Sequence, residues 1–157
     1  MVGCKSITRF SKLTKTVILT QTDTTVGFLS QSAEKLYEIK SRDNIKPFIQ
    51  VFHNFKTFLK SGNRIPNPKK NLIRRSKKTT FIIKNRAFRI SSSNLNSQIL
   101  RDLSWSYSTS ANKTKENYNR EFCENKADII IEDINSLKEK SSSILLKINN
   151  VSKRKLR

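Results

Sequence analysis

Residues 17–48 read VILTQTDTTVGFLSQSAEKLYEIKSRDNIKPF. With Thr16 in front, the opening TVILTQ is β-branched, short and closed by polar residues, which predicts a buried strand. SQSAEKLYEIK then sets Ala33, Leu36, Tyr37 and Lys40 at helical spacing. Ser30 or Ser32 can cap that helix, and Glu34 sits near the positive end of its dipole. Strand character returns after Pro47 in KPFIQVF. A strand, a helix and a strand in one uninterrupted stretch point to an α/β protein.

The same pattern continues outward. NFKTFLKSG reads as a short helix that Gly62 can end, and NRIPNPKKNLIRRSKK as a basic connector or short helix with two prolines. TTFIIK is a second clear strand and AFRIS a third; SNLNSQILRDL reads as a capped helix, and SWSYSTSAN as a strand running into a loop. A polar stretch over 113–126 leads to ADIIIED, expected to be a buried strand, before SSSILLKI and the basic VSKRKLR. Strands and helices alternate irregularly and nothing repeats. The expected fold class is α/β: a single-domain mixed sheet flanked by helices, over residues 17–157, behind a short basic N-terminal segment at 1–16.

Thirty-two basic residues against 12 acidic ones give a net charge of +20. Such a field attracts phosphates, nucleic acid or anionic lipid. A compositional bias toward Lys, Asn, Ile and Ser would raise the lysine count without explaining so few acids. No apolar run approaches the roughly 20 residues of a membrane span, and VILT is too short for a signal-peptide core. The expectation is a cytoplasmic protein with no membrane association. Cys4 and Cys123 stand far apart and His53 is the lone histidine, which excludes a cysteine-based zinc site or a histidine cluster. His53 itself reads as a surface or packing residue.

Two pairs carry candidate chemistry. Residues two apart project the same way on extended backbone, so Lys40 and Arg42, just past the helix, can aim at one ligand. Ser110 and Asn112 can likewise present a hydroxyl and an amide from a strand end. Cations with neutral donors are what a nucleoside triphosphate needs as charge builds on its oxygens. Each has an ordinary reading beside it. Lys40 can be a helix C-terminal cation, Ser-x-Asn a turn, and Thr22, Thr24 and Thr25 strand-end hydroxyls. Trp105 and Tyr107 read as core packing, Glu132 and Asp133 as turn residues, and NLIRRSKK as a solvated face or an RNA-facing patch.

QTDTTVGFL, KSRDNIKPF and STSAN, in that order, resemble the YrdC-like threonylcarbamoyl-AMP synthase family (YrdC/YciO/YwlC type). Its members carry a PTDTVYGL strand–loop, a Lys-x-Arg motif leading to Lys-Pro, and a later Ser-x-Asn. KKTTFIIK, Arg89 in FRIS and SSSIL add weaker matches, so the likeness spans roughly residues 17–157. It implies a twisted sheet with a basic concave face, and formation of threonylcarbamoyl-AMP and pyrophosphate from L-threonine, bicarbonate and ATP. That product feeds tRNA threonylcarbamoyladenosine modification. By the same resemblance Thr22, Arg89, Ser110 and Ser143 bind threonine, while Arg42, Lys46, Asn112 and Arg157 bind ATP. Lys40 and Arg42 would supply the catalytic positive field. Mg²⁺ would arrive with ATP, with no protein-bound metal site. Further partners would be tRNA or double-stranded RNA and tRNA threonylcarbamoyl-transferase proteins.

The chain departs from the family pattern at Gln21 (for Pro), at Thr25-Val26 (for Val-Tyr), at Ser91 (for Pro) and after Asn112, where Ser-Gly is absent. It holds three glycines in all, so several tight loops are built differently. Two other readings therefore stand beside the synthase. One is a non-catalytic YrdC-like protein that binds double-stranded RNA or tRNA; the other is a carbamoyl- or nucleotide-handling enzyme with a different acceptor.

Overall fold

The run that opens the 17–48 stretch does become a buried strand. β1 (Ile18–Gln21) and β2 (Val26–Ser30) are buried along their whole length. They pair antiparallel, Ile18 against Leu29 through Gln21 against Val26. This is a computed structural model that describes residues 13–41, 47–91, 94–113, 116–134 and 137–157. The fold is a single mixed α/β domain. After β2 come α1 (Ala33–Lys40), β3 (Ile49–Phe52), α2 (Phe55–Lys60), a 3₁₀ turn at Asn67–Lys69 and α3 (Lys70–Arg75). β4 (Thr79–Ile83), β5 (Arg86–Ile90), α4 (Asn94–Leu103) and β6 (Trp105–Ser110) follow. The chain finishes with α5 (Arg120–Lys126), β7 (Ile129–Ile131), β8 (Ile144–Ile148) and β9 (Lys153–Lys155). All nine strands form one twisted sheet in the order β7-β1-β2-β6-β3-β5-β4-β8-β9.

Local chemistry sets the boundaries. Ser32 caps α1 through its side chain, which accepts from the Lys35 backbone N–H, and Asn54 and Asn119 cap α2 and α5 in the same way. Gly62, at φ 79°, ends the turn after α2 in the left-handed region that glycine tolerates. Two apolar clusters fill the interior. Leu19, Phe28, Leu36, Phe48 and Cys123 make one. Phe52, Phe58, Ile73, Phe81, Phe88 and Ile148 make the other, with Phe58 stacked on Phe88 at 4.3 Å between centroids. Tyr107 packs against the first and Trp105 against the second, in line with the core-packing expectation, and their rings meet edge-on at 5.1 Å on one face of β6.

One expectation needs correction, and three segments that the sequence left without an element gain one. VGFLS is strand β2, because β1 and β6 supply hydrogen-bonding neighbours on both sides. The polar stretch before ADIIIED holds helix α5, anchored by buried Cys123 and capped by Asn119. ADIIIED is a strand but not a buried one: β7 pairs only with β1 at the sheet edge, leaving Ile129 and Ile130 exposed. A run of isoleucines looks alike whether a strand is central or terminal. The basic tail VSKRKLR forms β9, whose three residues are all exposed. No described helix is long and apolar enough to cross a membrane.

Candidate active site

The site grows from the β1–β2 connection. Thr22 donates its backbone N–H to the Thr25 carbonyl at 3.0 Å and its hydroxyl to the same oxygen at 2.7 Å. The reversal is therefore tied at its base and its tip carries Asp23 and Thr24, both buried. Gly27 sits where a Cβ would lie 2.7 Å from Thr22 Cγ2 and 2.9 Å from the Thr109 carbonyl. Only glycine lets β6 and the threonine loop approach this closely. Gly27→Ala is expected to lower stability by about 1–3 kcal/mol, as overpacking does, and to displace Thr22; urea denaturation measures the first effect.

Across from this loop, β5 presents Arg89, which is 5% exposed. Its Nε and Nη2 donate to Thr80 Oγ1 at 3.1 and 2.9 Å, and Nη1 donates to Thr24 Oγ1 at 3.1 Å. Thr80 Oγ1 in turn lies 2.9 Å from Ser143 Oγ. Three of the guanidinium's five N–H groups are thus held by protein hydroxyls, and the geometry leaves two for a ligand. Burial pulls the Arg89 pKa below its ordinary value, with Asp23 opposing the shift and Arg157 adding to it. Arg157 lies two residues past the C-terminal strand. Its carbonyl accepts from Leu145 N–H at 3.0 Å and its Nε donates to the Ser143 carbonyl at 3.3 Å.

These groups line one cavity of about 380 Å³. Thr22, Arg89, Ser110, Ser143 and Arg157, assigned from the resemblance, all face it, with Phe48 and Pro47 as an apolar wall. Two guanidinium groups beside a bank of hydroxyls suit a small, polar, negatively charged or zwitterionic ligand. Arg42 and Lys46 lie outside the described residues.

Lys40 and Asn112 sit behind the cavity rather than in its lining. Lys40 is the last residue of α1, and Ser41 follows at φ 43°, ψ 48°, so the extended backbone assumed for Lys40 and Arg42 is absent at this step. The Lys40 ammonium is buried and donates to the carbonyls of Ser110 (2.8 Å) and Asn112 and to Asn112 Oδ1 (2.7 Å). Asn112 Oδ1 also accepts from Ser110 Oγ at 2.7 Å, and its Nδ2 donates to the Glu116 carbonyl. The lysine fixes the end of β6. The Cys123 thiol donates to the Ala111 carbonyl at 3.1 Å beneath the same turn, and burial pushes its pKa up, which makes it a poor nucleophile.

Sequence reasoning gave Asp23, Thr24 and Thr80 no role at the site. A single acid among four threonines was a signal for the first; nothing in TTFIIK distinguishes a hydroxyl that holds a guanidinium from an ordinary strand threonine. His53 packs as expected, its Nδ1 3.0 Å from the Ser97 carbonyl. Among the described residues no cluster of His, Cys, Asp and Glu could hold a metal ion.

A mixed sheet that gathers two arginines and a row of hydroxyls around one small cavity defines an α/β protein equipped for a compact polar ligand. Residues 14–157 match the family model Sua5_yciO_yrdC, described as "Telomere recombination". The chain belongs to that family. No curated protein matches it significantly. Among solved structures it is similar to P. abyssi Sua5 complexed with L-threonine, at 16% identity and TM-score 0.74 over 90% of this chain and 50% of that one. It is also similar to E. coli YciO, at 15% identity and TM-score 0.72 over 94% and 85% of the two chains. Full-length HypF in a phosphate- and nucleotide-bound form gives 13% identity and TM-score 0.75 over 94% and 28%. The chain spans about half the length of P. abyssi Sua5. At these identities the likeness establishes the fold.

Proposed function

We propose that the chain is an L-threonylcarbamoyladenylate synthase, forming threonylcarbamoyl-AMP and pyrophosphate from L-threonine, bicarbonate and ATP. The observation that carries this reading is the shared cavity of Thr22, Arg89, Ser110, Ser143 and Arg157, drawn from five separate parts of the chain. Family membership and a relative solved with L-threonine support it.

In this reading the threonine carboxylate lies against Arg89, whose two remaining N–H groups match a bidentate acceptor. The side-chain hydroxyl meets the Thr22–Ser110–Ser143 hydroxyl bank. The amine, carboxylated by bicarbonate, attacks the α-phosphorus of ATP through a carbamate oxygen; that P–O bond forms as the bond to pyrophosphate breaks. Arg157, with Arg42 and Lys46 from the family motif, carries the phosphate charge, and Mg²⁺ enters with ATP. No side chain lining the cavity is an obvious general base, so the protons of the threonine ammonium pass to bicarbonate or solvent, and positioning and electrostatics supply the rate.

The test is radiolabelled bicarbonate with ATP and threonine, omitting each in turn. The expected result is acid-stable label and pyrophosphate release only when all three are present. Pyrophosphate release indifferent to threonine would overturn the assignment. The net charge of +20 favours a second reading, a non-catalytic double-stranded RNA- or tRNA-binding relative. It predicts salt-sensitive RNA binding and no such turnover.

A further inference from the structure

A second cavity lies on the other side of the sheet. Phe88 and Arg89 are successive residues of β5 and so point to opposite faces. Arg89 lines the first cavity, whereas Phe88, with Phe58, Ile83 and Ile148, backs the second. The two share no lining residue. The second is the larger, at about 810 Å³, which falls within the range of small-molecule clefts.

Its polar lining is one-signed. Arg64, Lys84, Arg86, Lys147 and Arg154 all border it, and no carboxylate does. None of these five cations has an ion pair among the described residues. One local feature runs against ordinary preference. Lys84 and Asn85 form the two-residue β4–β5 turn at φ 45° and 64°, where glycine or asparagine is favoured and a lysine is unusual. A bound anion gives that lysine a purpose.

The charge distribution extends the point. No acid occurs between Asp43 and Asp102, a stretch with fourteen Lys and Arg, and none follows Glu139, where six more occur. Those segments contain β3, β4, β5, β8 and β9, which are contiguous in the sheet. The remaining twelve cations of the chain equal its twelve acids in number. The twenty cations of these two acid-free segments thus equal the chain's whole excess charge; Arg89 and Arg157 among them line the first cavity and five others border the second.

We propose that this cleft is a second nucleotide-binding site, separate from the first cavity. Arg64, Lys84 and Arg86 take the phosphate oxygens. The half-buried Ile65 and Pro66 form the apolar surface for the base. Simple phosphate would leave that surface unused. A free nucleotide and an unpaired nucleotide of an RNA strand present the same chemistry, and the site does not depend on the reaction proposed for the first cavity.

The experiment photolabels the full-length chain with 8-azido-ATP and, in a parallel arm, with a hexauridylate bearing one 4-thiouridine, then maps the label by mass spectrometry. Label on residues 63–66 or 148–152 is expected in at least one arm, and the stronger arm identifies free nucleotide or RNA as the source. The double variant Arg64→Glu/Arg86→Glu is expected to lose that label about tenfold, as removing two phosphate contacts does, while label near Thr22 or Thr109 persists. Label confined to the first cavity in both arms overturns the proposal. So does label at 63–66 that the double variant leaves unchanged. The wild-type map decides the matter even if the variant fails to fold. It also reads binding alone, so failure of the synthase reaction would leave its outcome intact.

Discussion

Arg89→Met is expected to lower threonylcarbamoyl-AMP formation by at least ~100-fold, the scale of losing an electrostatic contact that orients the substrate. The variant keeps the apolar stem of the side chain and removes the guanidinium. Three hydrogen bonds vanish with it, two to Thr80 Oγ1 and one to Thr24 Oγ1. Asp23, 5% exposed and in contact with Ser91 Oγ (3.4 Å) and Asn96 Nδ2 (3.5 Å), loses its charge interaction with Arg89. Removing a buried charged hydrogen-bond donor costs about 3 kcal/mol. Urea denaturation should show that loss, and the bicarbonate assay, run where the variant is still folded, should show the kinetic one. A folded Arg89→Met protein with near-normal threonine KM would remove the guanidinium from the threonine site. Arg89→Lys separates charge from geometry: a single ammonium cannot bridge Thr24 and Thr80 while also gripping a carboxylate, so it should rescue stability more than turnover.

How much of this was readable beforehand depends on range. Strands with apolar runs between polar stops, such as TVILTQ and TTFIIK, announced themselves, and so did the helix that Ser32 caps, whereas α5, capped by Asn119 in a polar stretch, did not. The signal failed where burial is decided by neighbours remote in sequence. VGFLS carries a glycine and follows a hydroxyl-rich loop, so it looks irregular until β6 is laid beside it. IIIED looks like a core strand until the sheet is seen to end there. The site divides in the same way. Thr22, Arg89, Ser110, Ser143 and Arg157 lie far apart in the chain and no spacing rule links them; the order of motifs did, through the family resemblance. Spacing misled where it was applied directly. Lys40 and Arg42, two apart, suggested a pair aimed at one ligand, but a left-handed Ser41 separates them and the Lys40 ammonium points into the protein's own backbone. A lysine after an amphipathic helix gives no hint that three oxygens await it at the end of a strand 70 residues later.

That arrangement makes Lys40 the most consequential residue outside the cavity lining. Lys40→Met retains most of the side-chain volume and deletes the ammonium; the Asn112 carbonyl loses this donor, while the Ser110 carbonyl keeps the Asn112 N–H (3.0 Å) and Asn112 Oδ1 keeps the Ser110 hydroxyl (2.7 Å). Removing a buried charged hydrogen-bond donor costs about 3 kcal/mol, so a net loss of that size is expected. For a chain of this size that lowers the melting temperature by roughly 10 °C. Ser110 Oγ also loses its fixed acceptor, because Asn112 Oδ1 is held in place by the same ammonium. The threonine KM should therefore rise about tenfold, the scale of one misplaced hydrogen bond, while the ATP KM changes less. Thermal unfolding and steady-state kinetics read both effects. A lysine that instead neutralised the triphosphate would give the opposite division: intact stability, unchanged threonine KM and a weakened ATP site. Lys40→Arg sharpens the contrast. It keeps the charge but cannot fit a planar guanidinium among three convergent oxygens, so a clamp role predicts that it destabilises nearly as much as Met, and a field role predicts that it rescues.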